Sequence, residues 1–513
     1  MTTLENKILD LGRVVLVASV ILGFSDSCIA QTFSSLSQHQ QEALRQMVEP
    51  PELAERRGPY STPMYYLMHR GYEYEGDLDF KQEDRTYDKT KPGPDYGSWV
   101  LDRNRPDWQE AMIKDWAALG LNNTHLNIYP VNDSFVLDDD YVQSLRDYVS
   151  LSQKYGLKVG VRLDAIGGYA SWPVHPGNPD NVIDEYLVYV HQIAELLKGQ
   201  TAYYVLGDEL YLDEPYEKGR PETTWTPEDY VGYFKRVSET IKSVDPEAIV
   251  SMYGAESGKW RDVLKLIEMG YAELGDGVAL NHYSYKTAIE LYDQVRAVAP
   301  QMKFYSNGVG YCSTATAQPR FPEGDPYSAH PTEEAHAASV AKQVFGWWDV
   351  GADTVPYYIT LRNWEIRGRV YPRWFGFFGI QDFVVGEDDK MTVRHYPGWY
   401  AYQTIAQTFY NRDELTEPDF TVETDEEVDF QRAYVRKFKG GRELLLVIWH
   451  DTGAIDTTLT LNTDTFKHPV SISLFDYQDW ADLPHDTEDS TVRIPLSLSG
   501  KPTIIRLFEI NNQ

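Results

Sequence analysis

Eight short apolar runs, spaced by amphipathic helical patterns, occupy residues 59–412 and leave few folds open. They are TPMYYLMHRG, LNNTHLNIYP, LKVGVRLDAIGG, AYYVLGDE, AIVSMYGAE, GVALNHYSY, MKFYSNGVGY and DTVPYYITLRNW. Between them, residues 107–119, 140–155, 181–197, 227–244 and 333–350 place apolar side chains at helical spacing. Strands that read as continuous apolar runs are buried on both faces, and their alternation with helices implies a parallel sheet. Eight such units predict an α/β fold, a (β/α)8 TIM barrel. A doubly wound open sheet gives a similar alternation, but no G-x-G-x-x-G follows the first run.

A barrel of this kind gathers its chemistry at the C-terminal ends of its strands, and polar groups close nearly every run. The first ends in His69-Arg70, and the third carries Arg162 and Asp164, with Trp172 in the loop after it. The fourth stops at Gly207 and delivers Asp208 and Glu209 side by side. The fifth ends at Glu256, the sixth at Asn281-His282-Tyr283, the seventh at Asn307 and the eighth at Arg362-Asn363-Trp364. Adjacent strand residues face opposite sides, so Asp208 and Glu209 converge only if the chain is already turning. Gly207 makes that turn cheap, because it has no Cβ to clash.

The remaining segments divide around this unit. Beyond Arg412, strand-like runs joined by Gly-Gly, Asn-Thr-Asp and Ser-Gly-Lys-Pro turns, the last two runs read as the paired strands TVRIPLSL and TIIRLFEI, predict a small antiparallel β-sandwich over residues 418–513. Residues 31–58 read as a polar helix and linker. Residues 1–30 read as a signal peptide: Lys7 and Arg13 precede VVLVASVILGF, an apolar core too short to span a membrane comfortably. Cleavage is expected after Ala30, which implies a secreted or periplasmic protein. Lipid attachment at Cys28 is the lesser alternative, since Ser25-Asp26-Ser27 lacks the usual apolar residue. With Cys28 removed, Cys312 is alone, so disulfides do not hold this fold.

Charge and motifs exclude several function classes. With 47 basic and 78 acidic residues the formal net charge is −31, which repels phosphate backbones and anionic membranes. The 12 histidines show no H-E-x-x-H or clustered spacing, so no metal or other cofactor is expected. A G-x-S-x-G elbow and a phosphate-binding P-loop are absent as well. The 37 tyrosines and 13 tryptophans serve either ordinary core packing or a cleft lined with flat rings, which suits the apolar faces of sugars.

Paired carboxyl groups across a cleft are the equipment of glycosidic bond hydrolysis: one protonates the leaving oxygen, the other attacks carbon or activates water. At its strand ends the chain resembles the glycoside hydrolases of the (β/α)8 clan A. In that clan an Asn-Glu pair ends the fourth strand, matched here by Asp208-Glu209, and its Glu is the general acid/base. His282-Tyr283 resembles the clan's sixth-strand motif, Trp364 its eighth-strand tryptophan, and HYPGWYAYQTIAQTF its last helix. The resemblance implies a glycoside hydrolase with Glu209 as proton donor and His282, Tyr283 and Trp364 around the sugar. The export signal adds an environmental plant or algal polysaccharide or its oligosaccharides as substrate, and the polar strand ends add His69, Arg162, Asp164, Trp172 and Asn307 as candidate sugar contacts.

The chain departs from the clan at the seventh strand, where Asn307 stands in place of the nucleophilic Glu. Three routes stay open. A second carboxylate comes from Asp208, Glu256 or Asp164; or Asp208-Glu209 serves a substrate-assisted N-acetylhexosaminidase; or the barrel binds carbohydrate without turnover. A lyase acting on uronic-acid polymers is a further class. Each residue also has a structural alternative: Asp208-Glu209 opening a charged loop, Glu256 leading a helix, His282 as a hydrogen-bonding partner, Arg162 with Asp164 as an internal ion pair, and Trp172 and Trp364 as core.

Overall fold

The computed structural model describes residues 32–52, 60–66, 106–128, 135, 137, 139–163, 174–207, 210, 212–214, 221–255, 260–281, 285–308, 332–356, 361–366, 368–372 and 379–510. A first helix, α1 (Gln38–Met47), precedes eight strands and eight helices in strict alternation. These are β1 (Tyr60–Tyr66), α2 (Pro106–Leu119), β2 (Asn123–Ile128), α3 (Asp139–Lys154), β3 (Lys158–Leu163), α4 (Ile183–Leu197), β4 (Thr201–Leu206) and α5 (Pro227–Val244). They continue as β5 (Val250–Ala255), α6 (Trp260–Glu268), β6 (Gly277–Asn281), α7 (Tyr285–Val298), β7 (Lys303–Gly308), α8 (Glu333–Asp349) and β8 (Val355–Pro356). The last of the eight helices, α9 (Pro397–Thr408), comes after an inserted sheet.

The eight strands form one parallel sheet in the order β7-β6-β5-β4-β3-β2-β1-β8. β8 pairs with β1 through Tyr60↔Val355 and Ser61↔Pro356, and a parallel bridge Tyr305↔Thr354 joins it to β7. The sheet therefore closes into a (β/α)8 barrel. Two aspartates just ahead of their strands stitch the N-terminal rim. Asp276 accepts from the Val250 amide at 2.8 Å and Asp353 from the Phe304 amide at 2.8 Å, so neither N–H is orphaned.

The helices begin where their caps put them. Thr226 and Asp229 form a reciprocal capping box and Pro227 takes the first helical position, so α5 starts at Pro227. Residues of alternate parity on the strands, such as Leu126, Val161, Leu206 and Phe304, are buried against the helix layer. Their neighbours of opposite parity, including Tyr203, Val205, Ala279 and Tyr305, form a separate cluster inside the barrel.

Two antiparallel sheets follow. The six-stranded one has the order β13 (Leu415–Thr416), β15 (Phe430–Phe438), β16 (Gly441–Trp449), β22 (Thr503–Ile510), β18 (Lys467–Ser473) and β19 (Asp476–Asp482); the four-stranded one has the order β14 (Val422–Thr424), β17 (Ile455–Asn462), β21 (Thr491–Leu498) and β20 (Asp486–Glu488). The run GRELLLVIW forms β16 (Gly441–Trp449) and is buried almost throughout because both its faces are covered. Leu444, Leu446 and Ile448 face the sandwich core, while Leu445, Val447 and Trp449 join the barrel's cluster. Arg436, on β15 (Phe430–Phe438), donates to the Thr408 carbonyl at 2.8 Å and to Glu443 at 3.1 Å. It thus caps the negative C-terminal end of α9 from the sandwich side.

Three sequence expectations need correction. The eighth barrel strand does not reach Arg362-Asn363-Trp364: these residues lie in β9 (Leu361–Ile366), which sits in a separate sheet between β10 (Arg369–Pro372) and β11 (Gln381–Val385), with β12 (Met391–His395) beyond β11. A single apolar run thus spans two elements, of which only Val355–Pro356 completes the barrel. TVRIPLSL and TIIRLFEI, forming β21 (Thr491–Leu498) and β22 (Thr503–Ile510), lie in opposite sheets, because the Ser-Gly-Lys-Pro connection crosses the sandwich. The polar helix α1 is a docked element: Phe33, Leu36, Leu44 and Val48 are buried with Val470 and Phe508 of the sandwich. Its polarity reflects the solvent face; the buried stripe is narrow.

Candidate functional site

The strand ends that point to chemistry can be followed from the barrel upward. β4 leaves the sheet at Leu206, and Gly207 turns the chain at φ +99 while donating to the Leu163 carbonyl at 3.0 Å. That left-handed value is one a side chain rarely tolerates. Asp208 and Glu209 come next in sequence and lie outside the described residues, as do His69, Asp164, Trp172, Glu256, His282 and Tyr283. Glu256 directly follows the last residue of β5, Ala255. Asn307 is the fifth residue of β7, a strand whose segment KFYSNG contains no carboxylate. Trp364 pairs in register with Tyr371 of β10 (Arg369–Pro372).

Arg162 is the one proposed sugar-contacting side chain that the structure describes, and it is 1% exposed. On β3 it stands opposite Asn127 of β2 in register, and both precede an outward-facing final residue, Leu163 and Ile128. Arg162 and Asn127 are therefore the last inward positions of their strands. One step below, Gly160 registers with His125 and with Tyr203. A Cβ on Gly160 would sit 2.3 Å from Tyr203 Cζ, so the glycine makes room for the phenol. The Tyr203 hydroxyl then meets His125 Nδ1 at 2.8 Å, and its ring lies 5.0 Å from that of Tyr305.

The charge state of His125 is set by burial and by Arg162. Burial, followed by the nearby Arg162 charge, pushes the His125 pKa down to about 3, so its imidazole is neutral at ordinary pH. Asn127 is fully buried, and neither of its side-chain polar atoms has a hydrogen-bond partner among the described residues. Among the described residues, the inward positions near the C-terminal ends of β2 and β3 thus carry a tier of buried polar groups, beside the apolar Val205 in register with Arg162.

This tier was not among the residues singled out from the sequence, although a signal for it exists. In HLNI, polar and apolar residues alternate with period two, whereas a strand packed on hydrocarbon at both faces would be apolar throughout. His175 is a second residue of this kind. Its Nε2 donates to the Thr224 carbonyl at 2.9 Å and its Nδ1 accepts from the Gly177 amide at 2.9 Å. It ties the segment after β3 to the segment after β4, with Trp225 edge-on at 4.7 Å. No group of three or more His, Cys, Asp or Glu placed to hold a metal occurs among the described residues. Nor is any helix there long and apolar enough to cross a membrane.

Two concavities of about 330 and 410 Å³ lie at the seam with the sandwich. No family model matches the chain, and no curated protein is similar to it in sequence. Among solved structures, it is similar to a monomeric beta-xylosidase from Caulobacter crescentus CB15, at 11% identity over 79% of this chain and 93% of that one, with a TM-score of 0.46. A glucosidase from Croceicoccus marinus gives 12% identity, 78% and 92% coverage and a TM-score of 0.46. An endo-beta-1,4-mannanase from Thermotoga petrophila gives 12%, 90% and 97%, with a TM-score of 0.41.

Proposed function

We propose that the chain is a glycoside hydrolase working by carboxylate acid/base chemistry at the C-terminal mouth of the barrel. The observation that carries this reading is the end of β4. In a closed parallel barrel, a glycine in the left-handed region ends β4 and is followed in sequence by Asp208-Glu209, and catalytic groups of such barrels gather at this end of the strands. The buried polar tier beneath supports it, since hydroxyl-rich substrates need fixed donors and acceptors more than hydrocarbon. Arg162 supplies a fixed positive charge there, which favours the ionised form of a carboxylate nearby. In this reading Glu209 is the proton donor, and Asp208 or Glu256 supplies the second carboxylate. His69, Asp164, Trp172, His282, Tyr283 and Trp364 are proposed to surround the sugar.

Asn307 favours one second reading. An amide in β7 cannot act as a nucleophile, so a substrate carrying an N-acetyl group would attack its own anomeric carbon, with Asp208 orienting the acetamide and Glu209 donating the proton. The substrate is proposed to be an environmental plant or algal polysaccharide or its fragments, met after export and cleavage near Ala30.

Incubating the purified protein with a panel of plant and algal glycans, including N-acetylated oligosaccharides, tests both. New reducing ends without new ultraviolet absorbance support hydrolysis, and turnover confined to N-acetylated substrates selects the second reading. Added absorbance marks a lyase, and retention on a glycan gel without turnover marks a binding protein; either outcome contradicts the proposal.

A further inference from the structure

At their C-terminal ends β4 and β5 part company early. They pair only through Tyr204↔Val250 and Val205↔Ser251, although β4 runs to Leu206 and β5 to Ala255. β5 also slips against β6 between Ser251 and Gly254, the irregularity of a bulge, which bends a strand and re-aims its C-terminal end. Helix α5 fills the resulting gap with one side chain. The fully buried Tyr230 hydroxyl accepts from the Tyr253 amide of β5 at 2.9 Å and donates to the Leu206 carbonyl of β4 at 3.4 Å. A phenol thus replaces a rung of the ladder. Its ring is fixed edge-on to Tyr253 at 4.9 Å and beside Phe234 at 6.2 Å. Burial raises the pKa of the phenol, which keeps the proton that the bridge requires.

Leu206 lies three residues before Glu209, and Tyr253 three before Glu256. We infer that Tyr230 is a positioning residue, setting the spacing of the two strand ends that lead into Asp208-Glu209 and Glu256. The inference rests on the hydrolase reading and deepens it. Glycosidases choose between direct attack and activation of a water by the separation of their two carboxyl groups. A hydroxyl wedged between the strands that bear them acts on that separation from the helix layer, without touching substrate.

Tyr230→Phe removes the bridge and keeps the ring. Tyr233→Phe is the control, since it deletes another buried hydroxyl of α5, one that donates to Tyr186 at 3.3 Å. Rates are measured on the glycan that the unaltered protein cleaves best and on the dinitrophenyl glycoside of the same sugar, whose departure needs no proton. Tyr230→Phe is expected to lower kcat on the glycan about tenfold or more with KM nearly unchanged, because small misplacements of reacting groups are costly. The loss on the dinitrophenyl glycoside should be much smaller, and Tyr233→Phe should leave both rates nearly unchanged. No loss, equal losses on both substrates, or the same loss in the control overturns the inference. Hydrogen exchange of the unaltered protein gives a readout that needs no variant: the Tyr253 amide is expected to exchange only with global unfolding, and rapid exchange there overturns the bridge even if Tyr230→Phe does not fold. If the unaltered protein cleaves no glycan, the hydrolase reading fails and takes this inference with it; the other contrary results sink the inference alone.

Discussion

His125 is a histidine kept neutral at the centre of a barrel, with Tyr203 on Nδ1 and Arg162 close by. Its pKa is about 3 in the folded chain against an ordinary 6.5, so as pH falls the unfolded chain takes the proton first. Its share of stability is therefore intact above 6.5 and lost progressively toward 3, at up to about 1.4 kcal/mol per pH unit. His125→Gln should flatten the melting temperature against pH over that window. Equal slopes in variant and parent would mean that the imidazole is not held neutral by burial. At this scale the sequence was uneven. Gly207 was legible as a turn before the carboxylates because its role depends on its own missing Cβ. Tyr203, Asn127 and Tyr230 were not, because their roles depend on which strand or helix lies opposite, and that is a property of register.

Among the elements, those with local signals were read most closely. Thr226-Pro227 and Asp229 announce the start of α5, and the spacing read over 227–244 matches the helix observed. The strand after Asp353 was misread because VPYYITLRNW is apolar and aromatic without a break, and nothing local marks where it leaves the barrel. The docking of α1 was hidden in the same way, since the hydrophobic partners Val470 and Phe508 lie over four hundred residues away. Arg436 is the element-scale device that joins barrel to sandwich. It is 2% exposed, bonded to Glu443, to the last carbonyl of α9 at Thr408 and to the Tyr410 carbonyl beyond it, and stacked 4.1 Å from the Tyr410 ring. Buried Glu443 keeps a second guanidinium, Arg506 at 3.0 Å, so Arg436→Met should cost about 1.5–3 kcal/mol, the worth of a hydrogen bond to a charged group. Urea titration reads this directly, and a loss below about 1 kcal/mol, the scale of an exposed pair, would mean that Arg436 is surface decoration.

The whole molecule is held by an aromatic seam. Phe345, Trp348 and Phe409 of the barrel side meet Phe430, Tyr434 and Trp449 of the sandwich, with Phe430 stacked on Trp449 at 3.9 Å. Asp451 adds ion pairs to Lys342 at 2.9 Å and Lys286 at 3.0 Å. A seam this apolar should make barrel and sandwich unfold together, so calorimetry is expected to give one transition; two well-separated transitions would contradict that coupling. The proposed mature start at Gln31 leaves Phe33, buried against Trp480 and Phe508, as an anchor near the chain's beginning. The signal-peptide proposal predicts that protein exported by a bacterial host lacks residues 1–30, which its intact mass reads; a mass that retains them would contradict it. The central claim concerns chemistry at the end of β4, and one comparison tests it most directly: reducing-end release from an unactivated glycan by the parent protein and by Glu209→Gln. This substitution keeps the shape of the side chain and removes its proton, so turnover should fall at least ~10²-fold while glycan binding and melting temperature hold. Turnover close to that of the parent would contradict Glu209 as the acid and move the assignment to Glu256.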